Sequence, residues 1–149
     1  MQIEARELYS VIRDVYHQLQ NNLETELEQF NISTVQFGVI QILSETERAS
    51  MSDLNQKIGC APSNVTTIIQ RMKRDGFVKT TKNPSDQRET LVYLTEKGKE
   101  TKEKVAIQYK AFLKENFSYF DEEKFISLLE TLNGYKHFLS DHKKGITKM

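Results

Sequence analysis

Ser63, Asn64, Thr66, Thr67, Gln70, Arg71 and Arg74 crowd hydrogen-bonding and cationic side chains into one short run with no carboxylate among them. At about 100° per residue, Val65, Ile68, Ile69 and Met72 fall on one side of a helix at the i, i+3, i+4, i+7 spacing of a buried stripe. Ser63, Thr67, Gln70 and Arg74 fall on the opposite side, flanked by Thr66 and Arg71. Such a face donates, accepts and carries positive charge, which suits a nucleic-acid groove; glutamine in particular can make a bidentate pair with adenine. Arg71, Lys73, Arg74, Lys79 and Lys82 are of the type that clamps phosphates and makes affinity fall with salt. Lys73, on the flank nearer the apolar stripe, reads equally well as a solvated side chain.

Those side chains need a frame, and the neighbouring residues supply one. Pro62 fits the first helical position, where its missing N–H costs nothing, although Ala61 before it is a poor cap. Gly76 can take the left-handed conformation that ends a helix, so the helix is expected to stop at Asp75 with Phe77 packing back on Met72. Upstream, Ser50 with Asp53 three positions on forms a cap, Leu54 and Ile58 mark the inner face of a short helix, and Gly59 ends it. Two helices joined only by Gly59-Cys60-Ala61 make a helix-turn-helix. Downstream, Phe77–Thr81 and Glu89–Leu94 are rich in β-branched and aromatic residues around the polar turn segment KNPSDQR, which predicts a hairpin, or wing.

The rest of the chain is helical in pattern. Leu8, Val11, Ile12, Val15, Leu19, Leu23, Leu27 and Phe30 stripe one amphipathic helix from about Ile3 to Phe30. Asn31-Ile32-Ser33 breaks it, and the next run is apolar around most of its circumference, as a central helix should be. A further helix opens at Thr95, and a last one, capped by Asp121, carries Phe125, Leu128, Leu129, Leu132, Tyr135, Phe138 and Leu139. Asp141–Met149 reads as a frayed polar tail. The order predicts a mainly α protein, a winged helix-turn-helix of three helices and a two-stranded β wing with long terminal helices. At 149 residues this is one domain, with residues 33–95 as the reading region and residues 1–32 and 96–149 as dimerisation helices. Leu8, Ile12, Val15, Leu132, Tyr135, Phe138 and Leu139 are the candidate dimer-facing residues, because the terminal stripes hold more apolar surface than one small domain can cover.

The formal charge is zero, yet it is unevenly spread. Residues 1–61 carry four Lys/Arg against nine Asp/Glu, net −5, whereas residues 62–88 carry six against two, net +4. The positive charge sits in the reading unit. No targeting segment and no apolar run near the roughly 20 residues of a membrane span is present, so a soluble, cytoplasmic protein is expected, with no membrane partner. The single Cys60 excludes an internal disulfide and a cysteine-cluster zinc site. His17, His137 and His142 are too scattered for metal ligation, and no phosphate loop, nucleophile elbow or cofactor motif points to an enzyme.

Residues 86–98, DQRETLVYLTEKG, resemble the MarR family of bacterial transcriptional regulators, whose pattern there is D-x-R-x-x-x-V-x-L-T-x-x-G. Asp86, Arg88, Val92, Leu94, Thr95 and Gly98 all match, and residues 59–78 are similar to the family's turn and recognition helix, with Ala61 departing from its usual capping Ser or Thr. The resemblance implies a homodimer that binds double-stranded DNA at a pseudo-palindromic operator and usually represses. It places Arg88 in the minor groove, where narrow A·T-rich stretches concentrate negative potential, with Asp86 orienting the guanidinium. Ligand-responsive members bind small aromatic molecules between the dimer helices and the reading unit, which makes Tyr16, Phe37 and Tyr109 candidate pocket residues; core packing is the competing reading and the favoured one. Cys60, just before a helix N-terminus, is a candidate redox switch, set against the favoured reading of a small apolar packing residue. A winged-helix module that binds protein instead of DNA is the alternative function, since the fold serves both.

Overall fold

The computed structural model describes the backbone of residues 2–59 and 62–147 and the side chains of residues 4–59 and 64–143. Its elements run α1 (Gln2–Leu27), a 3-10 turn (Glu28–Phe30), α2 (Thr34–Thr46), β1 (Arg48–Ser50), α3 (Met51–Ile58), α4 (Pro62–Arg74), β2 (Val78–Asn83), β3 (Asp86–Leu94), α5 (Glu96–Asn116) and α6 (Glu122–Thr147). The chain divides into two compact units, residues 1–112 and residues 113–149.

In the first unit the core is built where the helix-turn-helix meets the sheet. Val39, Ile40 and Leu43 of α2, Leu54 of α3, Val65, Ile69 and Met72 of α4, Val78 and Val92 of the sheet and Val105 of α5 are all buried in one cluster. The central helix α2 is set by its ends. Asn31 takes the left-handed conformation, φ 57°, after the 3-10 turn, and Ser33 begins α2 with a reciprocal capping box, its hydroxyl accepting from Gln36 N at 3.2 Å while Gln36 Oε1 accepts from Ser33 N at 2.9 Å. The first helix therefore stops at Leu27, three residues short of the Phe30 that periodicity suggested, because the stripe continues through a 3-10 turn that keeps apolar spacing without α geometry. Of its residues, Leu27 is buried and Leu23 packs against the core. Leu8, Tyr9, Val11, Ile12, Val15 and Tyr16, nearer the N-terminus, are 42–70% exposed.

The sheet has three strands in the order β1-β3-β2, one more than the wing pattern predicted. The extra strand pairs Arg48 with Tyr93, Ala49 with Val92 and Ser50 with Leu91, antiparallel. The chain enters it through Glu47, whose φ of 62° and ψ of −47° turn the backbone sharply at the end of α2. Ser50 then serves twice, as the last residue of β1 and as the cap of α3, where its hydroxyl accepts from Asp53 N at 3.0 Å. Gly59 ends α3 at φ 73°.

The second unit comprises the end of α5, a turn and α6. Asp121 caps α6, its Oδ1 accepting from Lys124 N at 2.9 Å. The helix continues to Thr147, so the tail expected to fray after Asp141 is helical. The segment holds no proline, and polarity alone does not break a helix. Among the described residues, no helix is long and apolar enough to cross a membrane.

Candidate nucleic-acid interface

The α4 helix presents the two faces its spacing requires. Val65, Ile69 and Met72 are at most 3% exposed. Asn64, Thr66, Thr67, Gln70, Arg71 and Arg74 are all exposed. The helix stops in a Schellman motif around Gly76, φ 86°, in which Phe77 N donates to Met72 O at 2.9 Å and Gly76 N to Lys73 O at 3.2 Å. The Ser63 side chain and Cys60 lie outside the described residues, so the roles suggested for them have no geometry here. The exposed face has one acidic neighbour: Asp75 Oδ1 lies 3.2 Å from Arg74 Nε. Both groups are well exposed, and such a pair is weak enough to exchange for a phosphate.

The wing is longer and tighter than its composition implied. β2 and β3 pair continuously from Val78 with Leu94 to Lys82 with Thr90, then shift register so that Asn83 faces Asp86. The connecting loop is reduced to Pro84 and Ser85, not the seven residues of KNPSDQR. Asn83 makes this possible. Its Oδ1 accepts from Ser85 N at 3.0 Å, an Asx turn, and its Nδ2 donates to Glu89 Oε2 at 2.5 Å. Sequence reasoning treated Asn83 only as a turn former; the Asn-Pro-Ser order was the available signal.

Arg88 is accordingly a strand residue near the hairpin end, with its side chain 94% exposed. Asp86 Oδ1 accepts from both Arg88 N, at 3.1 Å, and Arg88 Nε, at 3.3 Å. The carboxylate holds the backbone N–H and the inner, Nε edge of the guanidinium, and its contact leaves the two terminal nitrogens aside. Arg88, Asp86 and Glu89 share a cleft with Met51 and Ser52 at the start of α3. Lys79 and Lys82 are exposed on β2, and Lys82 Nζ donates to Thr90 Oγ1 at 3.3 Å. Lys73 is not simply solvated: its Nζ donates to Thr80 Oγ1 at 3.1 Å and so bridges α4 to β2.

The three candidate effector residues do not line one cavity. Tyr16 borders an open cleft of about 470 Å³ with Gln20, Val35, Gln41 and Ile58. Phe37 and Tyr109 border another, of about 250 Å³, where they meet edge to face with centroids 4.9 Å apart. Phe37 itself is buried. Periodicity could not separate them, because Tyr16 shares its cleft with Val35, Gly38 and Ile42 of α2, whereas Tyr109 shares its own with Phe37, Ile40 and Ser44. Among the described residues, no group of three or more His, Cys, Asp or Glu is placed to hold a metal ion.

Known proteins share this fold. The sequence profile of the MarR family matches residues 32–90. The chain is 58% identical to a MarR-like transcription regulator from Bacillus cereus ATCC 10987 whose crystal structure superposes with a TM-score of 0.86, covering 92% of this chain and 99% of that one. It is 33% identical, over 56% of its length, to the HTH-type transcriptional repressor IacR of Pseudomonas putida, of which it spans half. The Streptomyces coelicolor regulator Sco3205, solved in complex with DNA, has the same fold at 21% identity, with a TM-score of 0.82 and 91% of each chain covered.

Proposed function

This chain belongs to the MarR family of transcriptional regulators, and from that premise we propose that it is a cytoplasmic, sequence-specific repressor that binds a pseudo-palindromic operator in double-stranded DNA as a homodimer. The observation that carries the reading is the pairing of two exposed surfaces in one unit: the polar, cationic face of α4 and the Arg88 side chain held at Nε by Asp86. A helix with that face fits a major groove, and an arginine at a hairpin end fits the adjacent minor groove. Asn64, Thr66, Thr67 and Gln70 are positioned to meet base edges or phosphates, and Arg71, Arg74, Lys79 and Lys82 to clamp phosphates.

Two such heads must sit about one helical turn, roughly 34 Å, apart to read a palindrome. The exposed apolar rows of α1 and of α6 support an assembly that fixes this spacing, since a monomer would leave them in water. Leu8, Ile12, Val15, Leu132, Tyr135, Phe138 and Leu139 are the residues assigned to it. No enzymatic step is proposed.

The test is duplex binding followed by fluorescence anisotropy, using a sequence selected from a random library and a scrambled control. Binding should weaken steeply with salt, and Arg88→Ala should lower affinity for the selected duplex by at least about tenfold without changing the fold. Absence of both the salt dependence and the Arg88 effect would sink the DNA reading and favour a protein-binding module.

A further inference from the structure

The carbonyls of Arg71, Met72 and Lys73 in the last turn of α4 are taken by the backbone N–H groups that follow, and the chain leaves the helix through Asp75, Gly76 and Phe77. Here three successive carbonyls are all taken by the residues that open α5. Lys97 Nζ donates to Asp75 O at 2.6 Å, Thr95 Oγ1 to Gly76 O at 2.5 Å, and Thr95 N to Phe77 O at 3.1 Å. Thr95 Oγ1 also accepts from Gly98 N at 3.1 Å, so the same hydroxyl caps α5 while it holds the turn that follows α4. The two segments approach so closely that a Cβ on Gly98 would lie 2.2 Å from Phe77 O, a backbone atom that cannot step aside.

Lys97 is the unexpected member. A cation in the first turn of a helix opposes the helix dipole and is unfavourable there unless something else satisfies it. Its ammonium is turned instead toward the negative C-terminal end of α4, against Asp75 O, and lies 4.7 Å from the centroid of the Phe77 ring. The neighbouring glutamate, Glu96, pairs with Lys99 rather than with Lys97. Lys97 is therefore committed to the end of the reading helix.

We propose that Lys97 is a positioning residue for DNA recognition: it sets the orientation of α4 through the Asp75 carbonyl and the Phe77 ring, without itself touching DNA. The proposal rests on the DNA reading above and deepens it. A lysine bound to phosphate weakens binding to every sequence alike and lowers the salt slope by about one when removed. A lysine that aims the helix leaves the slope intact and erodes discrimination between sequences, because base contacts tolerate misplacement worse than phosphate contacts do.

The experiment measures affinity of the full chain for the library-selected duplex and for a scrambled duplex of the same composition, across a salt series. Lys97→Met keeps the aliphatic stem over Phe77 and removes the cation; it should reduce the ratio of selected to scrambled affinity by about fivefold or more, with scrambled binding changed less than about twofold and the slope unchanged. Lys97→Arg, which keeps a cation within reach of the same carbonyl, should retain most of the ratio. An unchanged ratio in Lys97→Met, a slope lowered by about one, or an equal loss in Lys97→Arg would overturn the assignment. A wild-type protein with no preference between the duplexes would instead overturn the DNA reading itself.

Discussion

Helices α4 and α6 carry the same kind of apolar stripe and meet opposite fates. Val65, Ile69 and Met72 of α4 are at most 3% exposed, whereas Phe125, Leu128, Leu129, Leu132, Tyr135, Phe138 and Leu139 of α6 are 39–61% exposed in the single chain. Periodicity announces that a face is to be covered; it does not say by what. For α4 the cover lies within residues 1–112, where α2, α3 and the sheet pack against it in one buried cluster. A row of seven large apolar residues left half in water on α6 points to cover from a second copy.

The sharpest way to break this contrast is to cut both stripes. Met72→Ala, at a fully buried site, should destabilise the fold by about 2–5 kcal/mol in chemical denaturation, since it removes buried atoms and leaves a cavity. A loss below about 1 kcal/mol would mean that the α4 core is far more plastic than its burial implies. Leu132→Ala with Leu139→Ala should cost about 1–2 kcal/mol per protomer, expressed as weaker self-association in sedimentation equilibrium and a melting temperature that depends on protein concentration. If the pair behaved like an exposed surface, with changes within about 0.5 kcal/mol and no change in assembly, the second-copy reading of α6 would fail. Lys82→Ala supplies the baseline outside both stripes. Its stability should stay within about 0.5 kcal/mol of wild type, while DNA binding weakens alike for every sequence and its salt slope falls by about 0.9.

What was legible in the sequence follows the range of the forces involved. The α4 stripe, the Gly76 stop and the Ser50 cap are decided by residues within one or two turns, and each could be placed in advance. The strand Arg48–Ser50 could not be, because Arg-Ala-Ser has no strand character of its own and exists only by pairing with Leu91–Tyr93. Composition also misled at the wing, where Lys82, Asn83 and Asp86 read as loop although cross-strand pairing and the Asn83 Asx turn hold them to a two-residue connection. In the site, the polar face of α4 and the Asp86 and Arg88 pair stood out by type and spacing. Lys97 did not, since a lysine at a freely varying position of the motif gives no sign that its ammonium rests on a carbonyl of a different helix.

The order β1-β3-β2 leaves β2 at the margin of the sheet, with one row of backbone donors and acceptors not engaged by β3. Open margins invite strands from other molecules, and lysines are a common guard against that, because stacking like charges at a growing seam is unfavourable. Lys79 and Lys82 stand on this strand. The side chains assigned to hold the phosphate backbone would thus also keep the free protein colloidally stable. Any variant that neutralises both to weaken operator binding should be watched for strand-mediated aggregation, which would otherwise be mistaken for loss of recognition.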